Sequence, residues 1–164
     1  MAVREILRYP HRALKTPARA LGDDERAETE RVTTDLLDTM RSFGHCVGLA
    51  APQLGELVRI AAVDVSGHKK ATTCNGLLVL VNPRVLVAEG SEVAREGCLS
   101  IPHLTANVRR ATRIEVVADG GLRVESKGFE ARCILHELDH LDGLLFLDRV
   151  DSLSRDVFRR KSYR

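Results

Sequence analysis

Leu135 to Gly143 reads Leu-His-Glu-Leu-Asp-His-Leu-Asp-Gly and contains the pattern His-Glu-x-x-His. On a helix His136 and His140 lie one turn apart on one face, where two imidazoles can grip one metal ion. Glu137 stands beside the first of them, where a carboxylate can take a proton from a water that the metal activates. The chemistry this favours is metal-assisted hydrolysis, given a third ligand and a fourth position left open. The pattern alone names no substrate.

A third ligand must come from a Cys, His, Asp or Glu elsewhere in the chain. His11, His45, His68 and His103 stand alone and read as surface residues. Cys98 has a more specific setting, Glu96-Gly97-Cys98-Leu99-Ser100. Gly97 lets the backbone come close to another group, and Glu96 can orient a ligand from behind. The competing reading of Cys98 is a buried core cysteine. Cys133 is a rival ligand, because Cys133, His136 and His140 fall at i, i+3 and i+7 on one helical face. If Cys98 joins all three, the metal is tetrahedral and closed, as in a structural zinc site. If Cys133 only packs, a position stays open and Glu137 has a use.

These residues need a scaffold. The chain has 164 residues, 44% of them hydrophobic, enough for one compact domain over residues 1–164 with a substantial core. Net charge is +2 with 29% charged residues, so no global field points to DNA or to a membrane. There is no tryptophan and only 4% aromatic residues, which argues against a stacking platform for single-stranded nucleic acid. Cys46, Cys74, Cys98 and Cys133 never form a C-x-x-C pair, and the first residues lack the apolar core of a signal peptide. A cytoplasmic protein with reduced thiols is the expectation.

Residues 1–22, broken by Pro10 and Pro17, suggest an irregular arm with at most one helical turn. Val32, Leu36, Leu37, Met40 and Phe43 predict a helix near 24–43, ended by Gly44. Val58–Val65, Leu77–Asn82 and Val85–Ala88 read as strands, and Arg113–Ala118 with Leu122–Ser126 as a hairpin across Asp119-Gly120-Gly121. A second helix runs from near Phe129 to about Leu141, and Ser152–Arg164 is expected as a short, arginine-rich helix. The fold class is α+β, a single domain with mixed or antiparallel sheets packed around the helix that carries His-Glu-x-x-His.

A third block, Cys46-Val47-Gly48-Leu49-Ala50-Ala51-Pro52-Gln53, is small and glycine-bearing and ends in an amide donor. With Glu96-Gly97-Cys98-Leu99-Ser100 and His-Glu-x-x-His, in that order, it resembles the peptide deformylase family. Ile6-Leu7-Arg8-Tyr9-Pro10, Asn82-Pro83 and Leu144-Leu145-Phe146-Leu147-Asp148 extend the likeness over essentially the whole chain. The resemblance implies removal of the N-formyl group from the N-terminal methionine of newly made proteins, with release of formate. It implies that Cys98, His136 and His140 bind one divalent metal, typically Fe(II), with zinc, nickel or cobalt as other occupants. Glu137 would be general base and acid. Gln53 and the backbone N–H of Leu99 would form the oxyanion hole, with Glu96 behind the ligands. Val47 and Gly48 would hold the substrate peptide, and Cys133 would line the pocket for its first side chain.

Cys46 stands where the family usually has glycine, Leu135 where it usually has glutamine, and His103 where a different residue is common. None of these is an expected ligand, base or oxyanion donor. They motivate an alternative, a specialised deformylase acting on another formylated peptide or a small formamide. A non-catalytic zinc-structured binding protein is the reading from another class. The basic C-terminal residues, Arg155, Arg159, Arg160, Lys161 and Arg164, suit either a solvated helix face or a weak contact with ribosomal RNA.

Overall fold

The computed structural model describes residues 2–161. Its N-terminal arm is irregular except for one turn of 3₁₀ helix at Arg12–Lys15, which matches the sequence reading. The arm is tied down by backbone hydrogen bonds. Leu7 N–H donates to Gln53, Tyr9 N–H to Ser100 and Ala18 N–H to Leu141, so it touches all three sequence blocks that carry chemistry or border them.

Helix α1 spans Arg26–Ser42 and buries Val32, Leu36 and Met40, a stripe at fourfold spacing. Among the described residues, nine strands form three antiparallel sheets of three strands each. The first orders β1 (Gly48–Ala50), β2 (Ile60–Val63) and β3 (Leu78–Val81). The second places β7 (Arg113–Ala118) between β4 (Arg84–Glu89) and β8 (Leu122–Lys127), with Gly120 and Gly121 at φ +82° and +73° in the β7–β8 turn. The third places β6 (Ile101–Arg110) between β5 (Glu92–Cys98) and β9 (Val157–Arg159).

Helix α2, Gly128–Leu141, lies among the sheets. Ala131, Ile134 and Leu138 pack with Val63, Leu80, Ile114, Val116 and Val124 from the first two sheets. Leu141 packs with Ala50 and Ala61. A helix covered on several sides can carry polar groups inward only where each finds a partner. Its end is sharply defined. Gly143, at φ +75°, donates to His140 O, and Leu144 N–H donates to Asp139 O, a Schellman closure. A Cβ on Gly143 would lie 2.8 Å from Lys15 O, so glycine there also admits the N-terminal arm.

Two segments differ from the sequence reading. β5 and β6 were not expected as strands, because β5 carries Glu92, Arg95, Glu96 and Gly97 without a clear apolar alternation and β6 carries Pro102 and two arginines. Ser152–Arg164 was expected as a helix. Only Leu153–Asp156 makes a single turn, after which Val157-Phe158-Arg159 adds β9 to the open side of β6. A β-branched and an aromatic residue beside an unpaired strand gain ladder bonds that a short isolated helix cannot match. Ser162 to Arg164 lie outside the described residues.

Candidate metal centre

Two elements bring the ligand candidates together. β5 alternates faces, so Glu96 and Cys98 point inward while Arg95 and Gly97 face out. α2 presents His136 and His140 one turn apart toward the inward face of β5. One ligand atom each from Cys98, His136 and His140 lies within 4.8 Å of the others. Cys98 Sγ is 3.4 Å from His140 Nε2, and the two imidazole centroids are 5.2 Å apart. A thiol and two imidazoles converging at this range can hold one tetrahedral cation with a position to spare. Cys133 does not join them. It lines the neighbouring cavity, and burial pushes its thiol well above the ordinary range, with Glu137 adding to the effect. The closed four-ligand site therefore lacks its fourth member.

Glu96 organises the back of the cluster. Its Oε1 is 2.9 Å from His136 Nδ1, which leaves Nε2 for the cluster. Arg110 grips the same carboxylate from Nε and Nη2, each at 2.9 Å, and Arg132 Nη1 reaches Oε2 at 2.7 Å. Burial alone would raise the Glu96 pKa, but the hydrogen bonds from Arg110 and His136 outweigh it and hold the carboxyl well below its usual range. Arg110 also pairs with Asp139, and Asp139 with Arg149. Arg132 spans to the carbonyls of Val108 and Glu92. This buried set was not read from the sequence. The sequence offered one signal, Asp139 inside the histidine pattern; that Ala106, Val108 and Arg110 alternate inward emerges only once β6 is in place.

Glu137 is 4% exposed, and its Oε1 has no hydrogen-bond partner among the described residues. The same is true of His140 Nδ1. Oε1 of Glu137 lies 3.9 Å from His140 Nε2, so the carboxylate borders the cluster without closing it. Burial, partly offset by His136, pushes the Glu137 carboxyl up to about 7. A carboxyl with that value is suited to exchanging protons near neutral pH.

Gln53 comes from the 3₁₀ turn Ala51–Leu54 that follows β1. Its Oε1 accepts from Ala50 N–H at 3.0 Å, which fixes the amide orientation. Nε2 then faces Ser100 Oγ at 3.1 Å and Cys98 Sγ at 3.5 Å. Val47, Gly48, Gln53, Leu99, Cys133, His136 and Glu137 all border one open cavity of about 370 Å³. Every expected site residue except His140 thus lines or borders this cavity, and His140 stands behind it in the cluster.

Of the three departures, only Cys46 reaches the cavity. Its thiol donates to Gly48 O at 3.2 Å, and burial with the nearby Glu137 pushes its pKa up to about 12. Leu135 packs with the core around β7 and β8, and His103 is exposed on β6.

Comparison with known proteins identifies the family. The family model described as polypeptide deformylase matches residues 3–156. A peptide deformylase of Thermodesulfovibrio yellowstonii is 35% identical over 165 residues, covering 98% of this chain and 97% of its own. Peptide deformylase 1 of Bacillus cereus is 39% identical over 155 residues, covering 92% and 94%. Among solved structures, a peptide deformylase from Legionella pneumophila superposes with a TM-score of 0.81 at 33% identity, covering 94% of this chain and 89% of its own. A class I type b peptide deformylase from Acinetobacter baumannii, bound to Met-Ala-Ser, gives a TM-score of 0.80 at 29% identity, covering 91% and 100%. On motif order, site geometry and near full-length likeness together, the chain belongs to the polypeptide deformylase family.

Proposed function

We propose that this protein hydrolyses the N-formyl group from the N-terminal methionine of newly synthesised proteins and releases formate, with residues 1–164 acting as one catalytic domain. The observation that carries the reading is the convergence of Cys98, His136 and His140 beside buried Glu137, whose Oε1 has no hydrogen-bond partner among the described residues. These three side chains would hold one divalent cation. When bound, it supplies Lewis acidity and brings the pKa of a water from about 15.7 towards 7. A thiolate in the donor set softens the site and suits Fe(II), with zinc, nickel or cobalt as other occupants.

The chain's own groups supply the rest. Glu137 takes the proton of the attacking water and returns it to the departing amine. Gln53 Nε2 and Leu99 N–H donate to the formyl oxygen as charge develops there, and one such donor is typically worth about 10²–10³ in rate. Gly48 contributes backbone groups to an extended peptide, since β1 is an edge strand. Val47 and Cys133 wall the space for the first side chain. Glu96 holds His136 in one tautomer and orientation.

Among the described residues no helix is long and apolar enough to cross a membrane. A cytoplasmic enzyme meeting nascent chains is the reading that suits the substrate. A weak ribosomal contact through exposed Arg155, Arg159 and Lys161 remains part of it, and co-sedimentation with ribosomes at low salt tests that part. The central test is an anaerobic assay of Fe(II)-loaded protein on formyl-Met peptides and on small formamides. Release of formate from formyl-Met peptides in preference to the small formamides supports the reading, and its absence refutes it.

A further inference from the structure

The outward face of β5 carries Arg95 and Gly97, and both line the cavity. Arg160, the residue after β9, lines it too. Register explains how a C-terminal residue arrives there. Gly97 pairs with Thr105 on β6, and Thr105 pairs with Phe158 on β9, so the end of β9 stands across the sheet from Gly97. Arg160 N–H is fixed to His103 O at 2.9 Å. Its guanidinium then fills the space above Gly97, where a Cβ would lie 1.9 Å from Arg160 Nη2. Arg95 is held beside it. Its guanidinium carbon sits 3.8 Å above the Phe158 ring, and Nε and Nη1 donate to Asn107 and Thr105.

The charge of this cavity is lopsided. Lys70, from the segment between β2 and β3, also lines it. Among the described residues, the carboxylates that line it are Glu96 and Glu137. Glu96 is already shared by Arg110, Arg132 and His136, and Glu137 is buried beside the metal cluster. Arg95 is placed by neutral oxygens and a ring, and among the described residues neither it nor Lys70 pairs with a carboxylate. An exposed arginine oriented by neutral partners keeps its charge available to a ligand.

We propose that Arg95 and Arg160, with Lys70, form a carboxylate-reading rim that selects formylated peptides carrying a negative charge at their second or third residue, counting the formylated one as the first. This rests on the deformylase reading and refines its substrate class. From Cys98 back to Arg95 is three residues of strand, about 10 Å. An extended peptide with its formyl end at the cluster, running along β5, reaches Arg95 with its second or third residue. The charge can come from an Asp or Glu side chain or from the free terminus of a short peptide. Arg160 directly follows the last described strand, so the C-terminal segment contributes to substrate choice.

The test uses the full-length, metal-loaded protein and four peptides: formyl-Met-Ala-Asp amide, formyl-Met-Ala-Lys amide, formyl-Met-Ala-Ser amide and formyl-Met-Ala-Ser with a free carboxylate. The acidic amide is expected to exceed the basic one in kcat/KM by about three- to tenfold at low salt, as exposed charge pairs allow. The preference should fade near 1 M salt, where the screening length is about 3 Å. The free-acid serine peptide separates a terminal carboxylate from a side chain. In Arg95→Gln and Arg160→Gln the acidic-to-basic ratio should fall towards one. Equal kcat/KM for acidic and basic amides, or a ratio unchanged in both variants, overturns the rim. No turnover of any of the four overturns the deformylase reading and the rim with it.

Discussion

Gly48 and Glu137 occupy each other's space: a Cβ built on Gly48 would lie 2.7 Å from Glu137 Oε2 and 3.0 Å from its Cγ and Cδ. The glycine of β1 therefore makes room for the carboxylate of α2. Its φ is not in the left-handed region, so the requirement is steric and not one of backbone freedom.

Gly48→Ala should push the Glu137 carboxylate away from the cluster. A displacement of about 1 Å in a catalytic group can cost about 10²-fold in rate. Steady-state kinetics on a formyl-Met peptide should show that loss in kcat, with metal content unchanged by elemental analysis. A variant of near-normal kcat would show that the carboxylate has another place to go.

Glu137→Gln keeps the shape and removes the base. General acid–base catalysis is typically worth about 10²–10⁴-fold, and kcat should fall by that order. Glu137 is not in the three-residue ligand cluster, so the variant should still bind its metal. Full activity would sink the proposed role.

Much of the site was legible in the sequence because it is built from short, local patterns. His136, Glu137 and His140 depend only on helical spacing, and α2 forms as the periodicity predicts. Cys98 was harder, since its approach to His140 depends on β5 and β6, whose charged residues and Pro102 hide them as strands. Arg110, Arg132 and Asp139 were illegible as a set. Three charged residues on two elements look like surface until Glu96 is placed among them. Arg160 was least visible of all. Its role depends on a strand register that reverses the helix expected from its own segment.

Arg110 tests that buried set. Its side chain is 4% exposed and joins Glu96 to Asp139 across β5 and α2. Arg110→Met fills the volume but leaves two buried carboxylates short of a partner. Breaking a buried pair from one side costs about 3–5 kcal/mol. Urea unfolding should show a lower midpoint with an unchanged slope. His136 should also bind metal less tightly, by about 10–100-fold, because its hydrogen-bonded carboxylate is no longer fixed.

The thiols should separate by environment. Cys74 is exposed, whereas burial lifts Cys46 to about 12 and raises the Cys133 thiol as well. Only the thiolate attacks an alkylating agent. Iodoacetamide near neutral pH should therefore label Cys74 well before Cys46 or Cys133, as peptide mass mapping would record. Early labelling of Cys46 would mean that the groove beside Gly48 opens in solution.

Metal removal should weaken the fold as well as the activity. Cys98 ends β5, while His136 and His140 belong to α2, so a cation shared among them ties a sheet edge to the central helix. A ligand that binds only the folded state stabilises it by about 2.7 kcal/mol at a free concentration one hundred times its dissociation constant. Stripping with a chelator should lower the melting temperature, and adding back the divalent ion should restore it. Cys98→Ala should melt at the same temperature with or without added metal, because one of the two tied elements no longer holds the ion. If that variant is still stabilised by metal to the wild-type extent, the ion sits elsewhere and the assignment of Cys98 fails.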